Sequence, residues 1–252
     1  MGLNISLAPE VIFHIGSFPI TNAFFVSIFV TVIVLAVFLL IANRFQTVPT
    51  RFQALVEILF EEAFDFVESI IGNREKAKRI FPLVFTMFIF ILFANLLTYI
   101  PGQAAVTLKT EEGVMPLFRA AMADYGVVFM MTMVSVILMQ IVAIAVHGPF
   151  GYLGKFFNFK GPLDFFLGLM DIVGEIAKIV SLSFRLFGNI FAGEVLGAVM
   201  LFLAPYFIPL PFMFLGLLTA FVQAFVFSVL TLVFISMAST IEEDELVEEA
   251  SI

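Results

Sequence analysis

The sequence predicts an all-α, polytopic membrane protein with about five membrane-embedded helices and one amphipathic surface helix, the last two embedded helices being long and strongly tilted. Three observations carry that expectation. Of 252 residues, 62% are hydrophobic and only 13% are charged, with a mean hydropathy of +1.14, which is more apolar surface than one soluble core could bury. Apolar runs recur that are long enough to cross a hydrocarbon core of roughly 30 Å at about 1.5 Å per residue. Nearly all Lys and Arg residues fall in the connections between those runs. Residues 1–252 are expected to form a single integral membrane domain.

The opening Met1-Gly2-Leu3-Asn4-Ile5-Ser6-Leu7-Ala8-Pro9-Glu10 lacks the positive start and long apolar stretch of a signal peptide, so the N-terminus reads as mature and exposed. A first span is expected over 20–42, ending at Asn43-Arg44. Over 52–71, Glu57, Glu61, Asp65 and Glu68 share one sector of a helix while Leu55, Leu59, Phe66 and Ile70 lie on the other side, the pattern of a helix on the membrane surface. Its acidic face argues against anionic lipid as the partner and favours a protein or plain solvation. Gly72-Asn73 stops it, and Arg74, Lys76, Lys78 and Arg79 precede a second span over 80–100. Gly, Pro and charged residues mark 101–124 as a loop, and a third span follows over 125–147, ended by Gly148-Pro149.

The two final segments are different in kind. The run 163–204 would extend about 60 Å as one helix, about twice the hydrocarbon thickness, so it must tilt strongly, project from the membrane or break near Gly188 or Gly193. Pro205, Pro209 and Pro211 mark a turn, after which a last helix is expected over 212–240 and an acidic tail over 241–252. Arg44, Arg51, Arg74, Lys76, Lys78, Arg79, Lys155 and Lys160 then fall on one side of the membrane against Lys109 and Arg119 on the other. The positive-inside rule places the larger set and the C-terminus in the cytoplasm and the N-terminus outside.

Cys and Trp are absent, which excludes disulfides, thiolate nucleophiles and Cys-based metal sites. No GxxxxGK[ST] phosphate loop occurs, so nucleotide chemistry is not expected in this chain, nor is a cofactor, a metal or a nucleic-acid partner. The polarity that remains at membrane depth forms one stripe. At about 100° per residue, Asp171, Lys178, Ser181, Arg185 and Asn189 occupy a sector of roughly 80°, with Asp164 and Glu175 at its margin and Gly174, Gly188 and Ala192 in or beside it. The small residues would let another helix approach closely. Lys178 admits a bland reading, satisfied by Asp171 or Glu175 one or two turns away. Arg185 does not, because a guanidinium at that depth costs about 2.5–17 kcal/mol unless an anion or water attends it. The nearest candidate, Glu194, is nine residues on, on the opposite face and about 13 Å along the axis. The counter-charge of Arg185 is therefore expected to be transient or to belong to another chain. Glu194 itself suits a proton relay. Gln223, with Thr219 and Gly216 on its side of the last helix, reads either as an interhelical hydrogen bond or as part of a pathway. Asn95 admits no single reading, and His147 reads as a surface histidine.

The stretch Ser181-Leu182-Ser183-Phe184-Arg185-Leu186-Phe187-Gly188-Asn189-Ile190-Phe191-Ala192-Gly193-Glu194 resembles the signature of subunit a of bacterial F-type ATP synthases, and Gln223-Ala224-Phe225-Val226-Phe227-Ser228-Val229-Leu230-Thr231 resembles its second signature. The first motif is highly specific and the second is weak alone; length and helix order match over essentially the whole chain. The resemblance implies a non-catalytic stator subunit in the bacterial inner membrane, surrounded by lipid, beside a rotor ring of c subunits and in contact with peripheral-stalk b subunits. It further implies that Arg185 attracts the ring carboxylate and blocks leakage between two offset half-channels. Glu194, Asn189 and Gln223 would serve the outer one, and Asp171, Glu175 and Ser181 the cytoplasmic one. In many bacterial members a histidine on the last helix pairs with the residue matching Glu194; the corresponding position here is Gly216. Two rivals make distinct demands: a proton-coupled secondary transporter calls for internal pseudo-symmetry, and a structural scaffold should tolerate a neutral residue at 185.

Overall fold

The computed structural model describes residues 11–15, 18–99, 107–110, 113–116, 119–156, 162–204 and 207–249. The first ten residues, Lys160 and Pro205 lie outside them, as do the side chains of Lys109, His147, Lys155, Asp164 and the acidic run from Glu242. Six helices dominate: α1 (Asn22–Ala42), α2 (Arg51–Ile71), α3 (Arg74–Thr98), α4 (Tyr125–Phe156), α5 (Pro162–Leu203) and α6 (Pro209–Glu249). All but α2 contain a stretch apolar and long enough to cross a membrane. Two short antiparallel hairpins accompany them, β1 (Val11–Ile15) with β2 (Phe18–Thr21) and β3 (Thr107–Thr110) with β4 (Gly113–Pro116). The second hairpin occupies part of the expected 101–124 loop.

The helix limits follow from local chemistry. Thr21 and Thr50 accept hydrogen bonds from the amides of Phe24 and Gln53 and so cap α1 and α2. Gly72 ends α2 at φ +74°, its amide donating to the Glu68 carbonyl, a conformation glycine adopts without the Cβ penalty. Asn73 then accepts from the amides of Glu75 and Lys76, so α3 starts at once and the basic cluster forms its first turns instead of a loop ahead of it. Gly148, at φ +74° and ψ 159°, interrupts α4 where Gly148-Pro149 was expected to end a span, and the chain turns helical again to Phe156. α6 begins at Pro209, earlier than 212, because proline is tolerated in a first helical turn. It continues to Glu249, since neither Gly nor Pro follows Thr240 to stop it.

α1 packs one face, Asn22, Ala23, Val26 and Val30, and leaves Val32, Leu35, Leu39 and Leu40 exposed, as a helix apolar all round does in lipid. α2 has three faces. Gln53 and Val67 are buried, the carboxylates of Glu57, Glu61 and Asp65 face outward, and Phe52, Leu55, Leu59 and Phe66 form an exposed apolar arc on the other flank. The packed face binds it to α3 through Phe60, Phe64, Phe81 and Phe85, with the Phe60 and Phe85 rings 4.5 Å apart. Such ring pairs contribute about 0.5–1.5 kcal/mol beyond area burial. A second joint ties Val67 of α2 to Ala77, Ile80 and Val84 of α3, Met139 of α4, and Leu232 and Ile235 of α6.

The main core joins α1, α3, α5 and α6 around a buried turn at Ala121–Ala123 that leads into α4. Asp124, itself buried, accepts from the Gly126 amide at 2.8 Å and starts α4. α3 and α6 run side by side in steps of one turn: Asn95 meets Ala220 and Tyr99 meets Gly216. Gly216, Ala220 and Ala224 form a small-residue stripe, the sequence feature that allows two membrane helices to approach closely.

Candidate functional site

α5 is continuous from Pro162 to Leu203, without a break at Gly188 or Gly193; positive φ among the described residues is confined to Gly72 and Gly148. Its buried stripe is Leu182, Leu186 and Ile190, spaced one turn apart and locked into the core. Arg185 lies about 100° round the helix from Leu186, and this registry turns its guanidinium to the outside of the chain, where it is exposed. It donates to Ser181 Oγ at 3.4 Å, and among the described residues it pairs with no carboxylate. The same outer face carries Ser181, Asn189, Ala192 and Leu196. A Cβ built at Gly174 or at Gly188 would meet no atom within 4 Å, so this chain does not itself use the room these glycines leave.

About 15 Å before Arg185 along the helix axis sits one polar cluster. Lys178 Nζ pairs with Glu175 Oε1 at 2.7 Å, Glu175 Oε2 accepts from Gln140 Nε2 of α4 at 3.0 Å, and the ammonium lies 5.1 Å from the Phe234 ring centroid of α6. Asp171 is half-buried one turn earlier. Of the two local partners open to Lys178, Asp171 and Glu175, it pairs with Glu175. Lys178→Met should leave Glu175 a half-buried charge without its cation. We expect a loss of about 1–3 kcal/mol, less than the about 3–5 kcal/mol of a fully buried pair because Lys178 keeps solvent access. Thermal unfolding of the detergent-solubilised complex checks this: Glu175→Gln added to Lys178→Met should recover most of the loss, and equal midpoints for single and double variants would contradict it.

The other cluster lies about 13 Å beyond Arg185. Glu194 is exposed on the chain's own surface, with the Arg119 guanidinium and the Tyr99 phenol near enough to interact electrostatically with it. Between Glu194 and Arg185, Asn189 Nδ2 donates to Gln223 Oε1 of α6 at 2.6 Å, and Gln223 is buried. Asn189 and Gln223, named separately from the sequence, are therefore one interhelical pair. Asn95 is fully buried and donates to the Ala220 carbonyl at 3.3 Å.

The structure brings the expected residues to one helix and its neighbour, with Asp171, Glu175 and Ser181 before Arg185 along α5, Asn189 and Glu194 after it, and Gln223 of α6 bonded to Asn189. Sequence reasoning missed Gln140, Phe234 and Tyr99. Gln140 was the readable one, as a side-chain amide inside an apolar span; Tyr99 sits at a helix end, where an aromatic residue attracts no notice.

Residues 24–236 match the family described as ATP synthase A chain, well over half of the chain. Curated relatives include ATP synthase subunit a of Moorella thermoacetica, 34% identical over 90% of this chain and 95% of its own, and that of Syntrophobacter fumaroxidans, 31% identical over 94% and 92%. The subunit a of Geobacter sulfurreducens is 35% identical over 82% of each chain. With five apolar helices of spanning length, a lone outward arginine in the longest run and a matching family over nearly all of them, the chain belongs to the ATP synthase A chain family, subunit a of bacterial F-type ATP synthases.

Proposed function

We propose that this multi-pass membrane subunit couples proton flow to rotation by holding Arg185 between two offset aqueous half-channels, against the carboxylate of a passing c-ring subunit. The observation that carries the reading is the outward guanidinium of Arg185, whose contact within the chain is a long hydrogen bond to Ser181. A charge held at that depth is expensive unless an anion or water meets it, and a moving ring supplies both in turn. The open glycines 174 and 188 on the same side of α5 suit the close approach of ring helices.

Glu194, Asn189 and Gln223 serve the outer half-channel, and Asp171, Glu175 and Ser181 the cytoplasmic one. Their placement on either side of Arg185 along α5 supports this division, because a proton must then ride the ring to pass from one to the other. Each proton crossing about 100 mV releases about 2.3 kcal/mol, so several must pass for each ATP made in the separate catalytic head. Arg44 and Arg51 at the α1–α2 junction and Arg74, Lys76, Lys78 and Arg79 in the first turns of α3 keep the Glu175 end cytoplasmic and the N-terminus outside. The b subunits of the peripheral stalk are the second protein neighbour.

Affinity purification of the tagged chain from mild detergent tests the partner. An oligomeric ring of small, carboxylate-bearing hairpins should come with it. Recovery of the chain without any ring would favour a self-contained transporter and end this reading.

A further inference from the structure

Gly216 and Gly193 face each other across the α5–α6 contact, and the Tyr99 side chain from the end of α3 fills the space both leave. A Cβ at Gly216 would stand 2.5 Å from Tyr99 Oη, 2.6 Å from Cε1 and 2.7 Å from Cζ, and one at Gly193 would stand 3.2 Å from Oη. Any side chain at 216 therefore excludes the phenol from this position. The hydroxyl rests on Gly193, the residue immediately before Glu194. Among the described residues of α6 nothing polar competes for the place: Thr219 gives its hydroxyl to the Leu215 carbonyl, and Gln223 is engaged with Asn189. One turn down the same α3 face, the buried Asn95 Oδ1 has no partner among the described residues, and a buried carbonyl of that kind ordinarily binds water.

We propose that the Tyr99 hydroxyl, seated over Gly216 and Gly193, positions the water that exchanges protons with Glu194 on the outer side, doing from α3 what a polar side chain at 216 would do from α6. The inference rests on the reading of Glu194 as a relay residue. Tyr99 and Glu194 share no direct hydrogen bond in the structure, which suits a single bridging water. The phenol donates its hydrogen bond to that water, whose proton passes to the carboxylate and is replaced from outside; the phenol keeps its own. Of the charged groups, Glu194 of α5 acts on Tyr99, and Arg119 of the segment before α4 acts on Glu194. Tyr99 is thus a positioning residue.

The test is passive proton flux through the membrane sector of the whole complex, in vesicles stripped of the catalytic head, followed across pH. Tyr99→Phe keeps the ring and removes the hydroxyl. We expect flux to fall about three- to tenfold, the worth of one net hydrogen bond, and the flux–pH profile to shift, because the water that the phenol holds is the donor that meets the carboxylate. Gly216→Ala keeps the hydroxyl but displaces it and should lower flux similarly. In a Glu194→Gln background, Tyr99→Phe should add nothing further. Unchanged flux in Tyr99→Phe, or a loss with an unshifted profile, overturns the proposal. Normal flux in Glu194→Gln alone would instead strike at the relay itself, which separates the two failures.

Discussion

Arg185→Ala is expected to abolish proton-driven ATP synthesis in inverted vesicles while the complex still assembles. Both halves of the expectation follow from where the residue stands. The guanidinium faces out of the chain and takes no part in the Leu182, Leu186 and Ile190 stripe that anchors α5, so truncating it removes little packing. Outward-facing substitutions of this kind usually change stability by no more than about 0.5 kcal/mol. What is lost is the fixed positive charge between the Glu175 and Glu194 clusters. On the proposed mechanism, a ring carboxylate then has no reason to remain ionised as it passes, and the two water paths lose the barrier that separates them. Ring rotation then uncouples from proton flow, and a proton gradient imposed on the vesicles should decay faster than in the wild type. Arg185→Lys should rescue poorly, because a strongly hydrated point charge on a shorter stem does not reproduce a planar fork of donors. Unchanged synthesis by Arg185→Ala would sink the mechanism, and failure of the variant to assemble would show that Arg185 has a packing role that its outward position does not suggest.

Arg185 was legible because a charge inside an apolar run stands out against its background, and the missing partner could be argued from helical spacing alone. The spans were legible for the same reason, since lipid forces long apolar segments to satisfy their backbones as helices. What spacing cannot give is contact between segments. Asn189 and Gln223 are 34 residues apart and were each identifiable, but their bond depends on how α5 and α6 turn toward each other. Of the three alternatives open for the long run, the break at Gly188 or Gly193 is absent, because a glycine in a membrane helix need not bend it; here Gly193 admits a tyrosine and Gly188 leaves the outer face flat. Tyr99 was invisible since its importance comes from an atom that Gly216 lacks. The exposed apolar arc of α2 was partly visible, but the wheel could not divide its apolar side into a face that packs on α3 and a face that does not.

Glu194→Gln should slow proton flux far more than Gln223→Leu. The two residues lie along the same proposed outer path but differ in what they can do. Gln223 does not titrate; it holds Asn189 across the α5–α6 contact at 2.6 Å. Its loss leaves an amide without a partner, yet Asn189 sits on the exposed face of α5, where water can replace the bond. The expected cost is about 1–3 kcal/mol at most, spread between stability and flux. Glu194 is different in kind, because a carboxylate can take a proton and release it, whereas the amide of glutamine keeps the shape and loses the step. Among the described residues, Arg119 and Tyr99 are the charged and titratable groups that act on it, and neither can stand in: an arginine does not release its proton in a protein, and a phenol does so far above neutral pH. Removing a positioned acid–base group costs on the order of a hundredfold or more in proton-transfer rate. Glu194→Gln should therefore reduce ATP-driven vesicle acidification to near background with the complex intact, and Gln223→Leu should retain a measurable fraction. The reverse order would remove Glu194 from the relay and make the Asn189–Gln223 pair, in place of a titrating group, the element that governs entry of the proton.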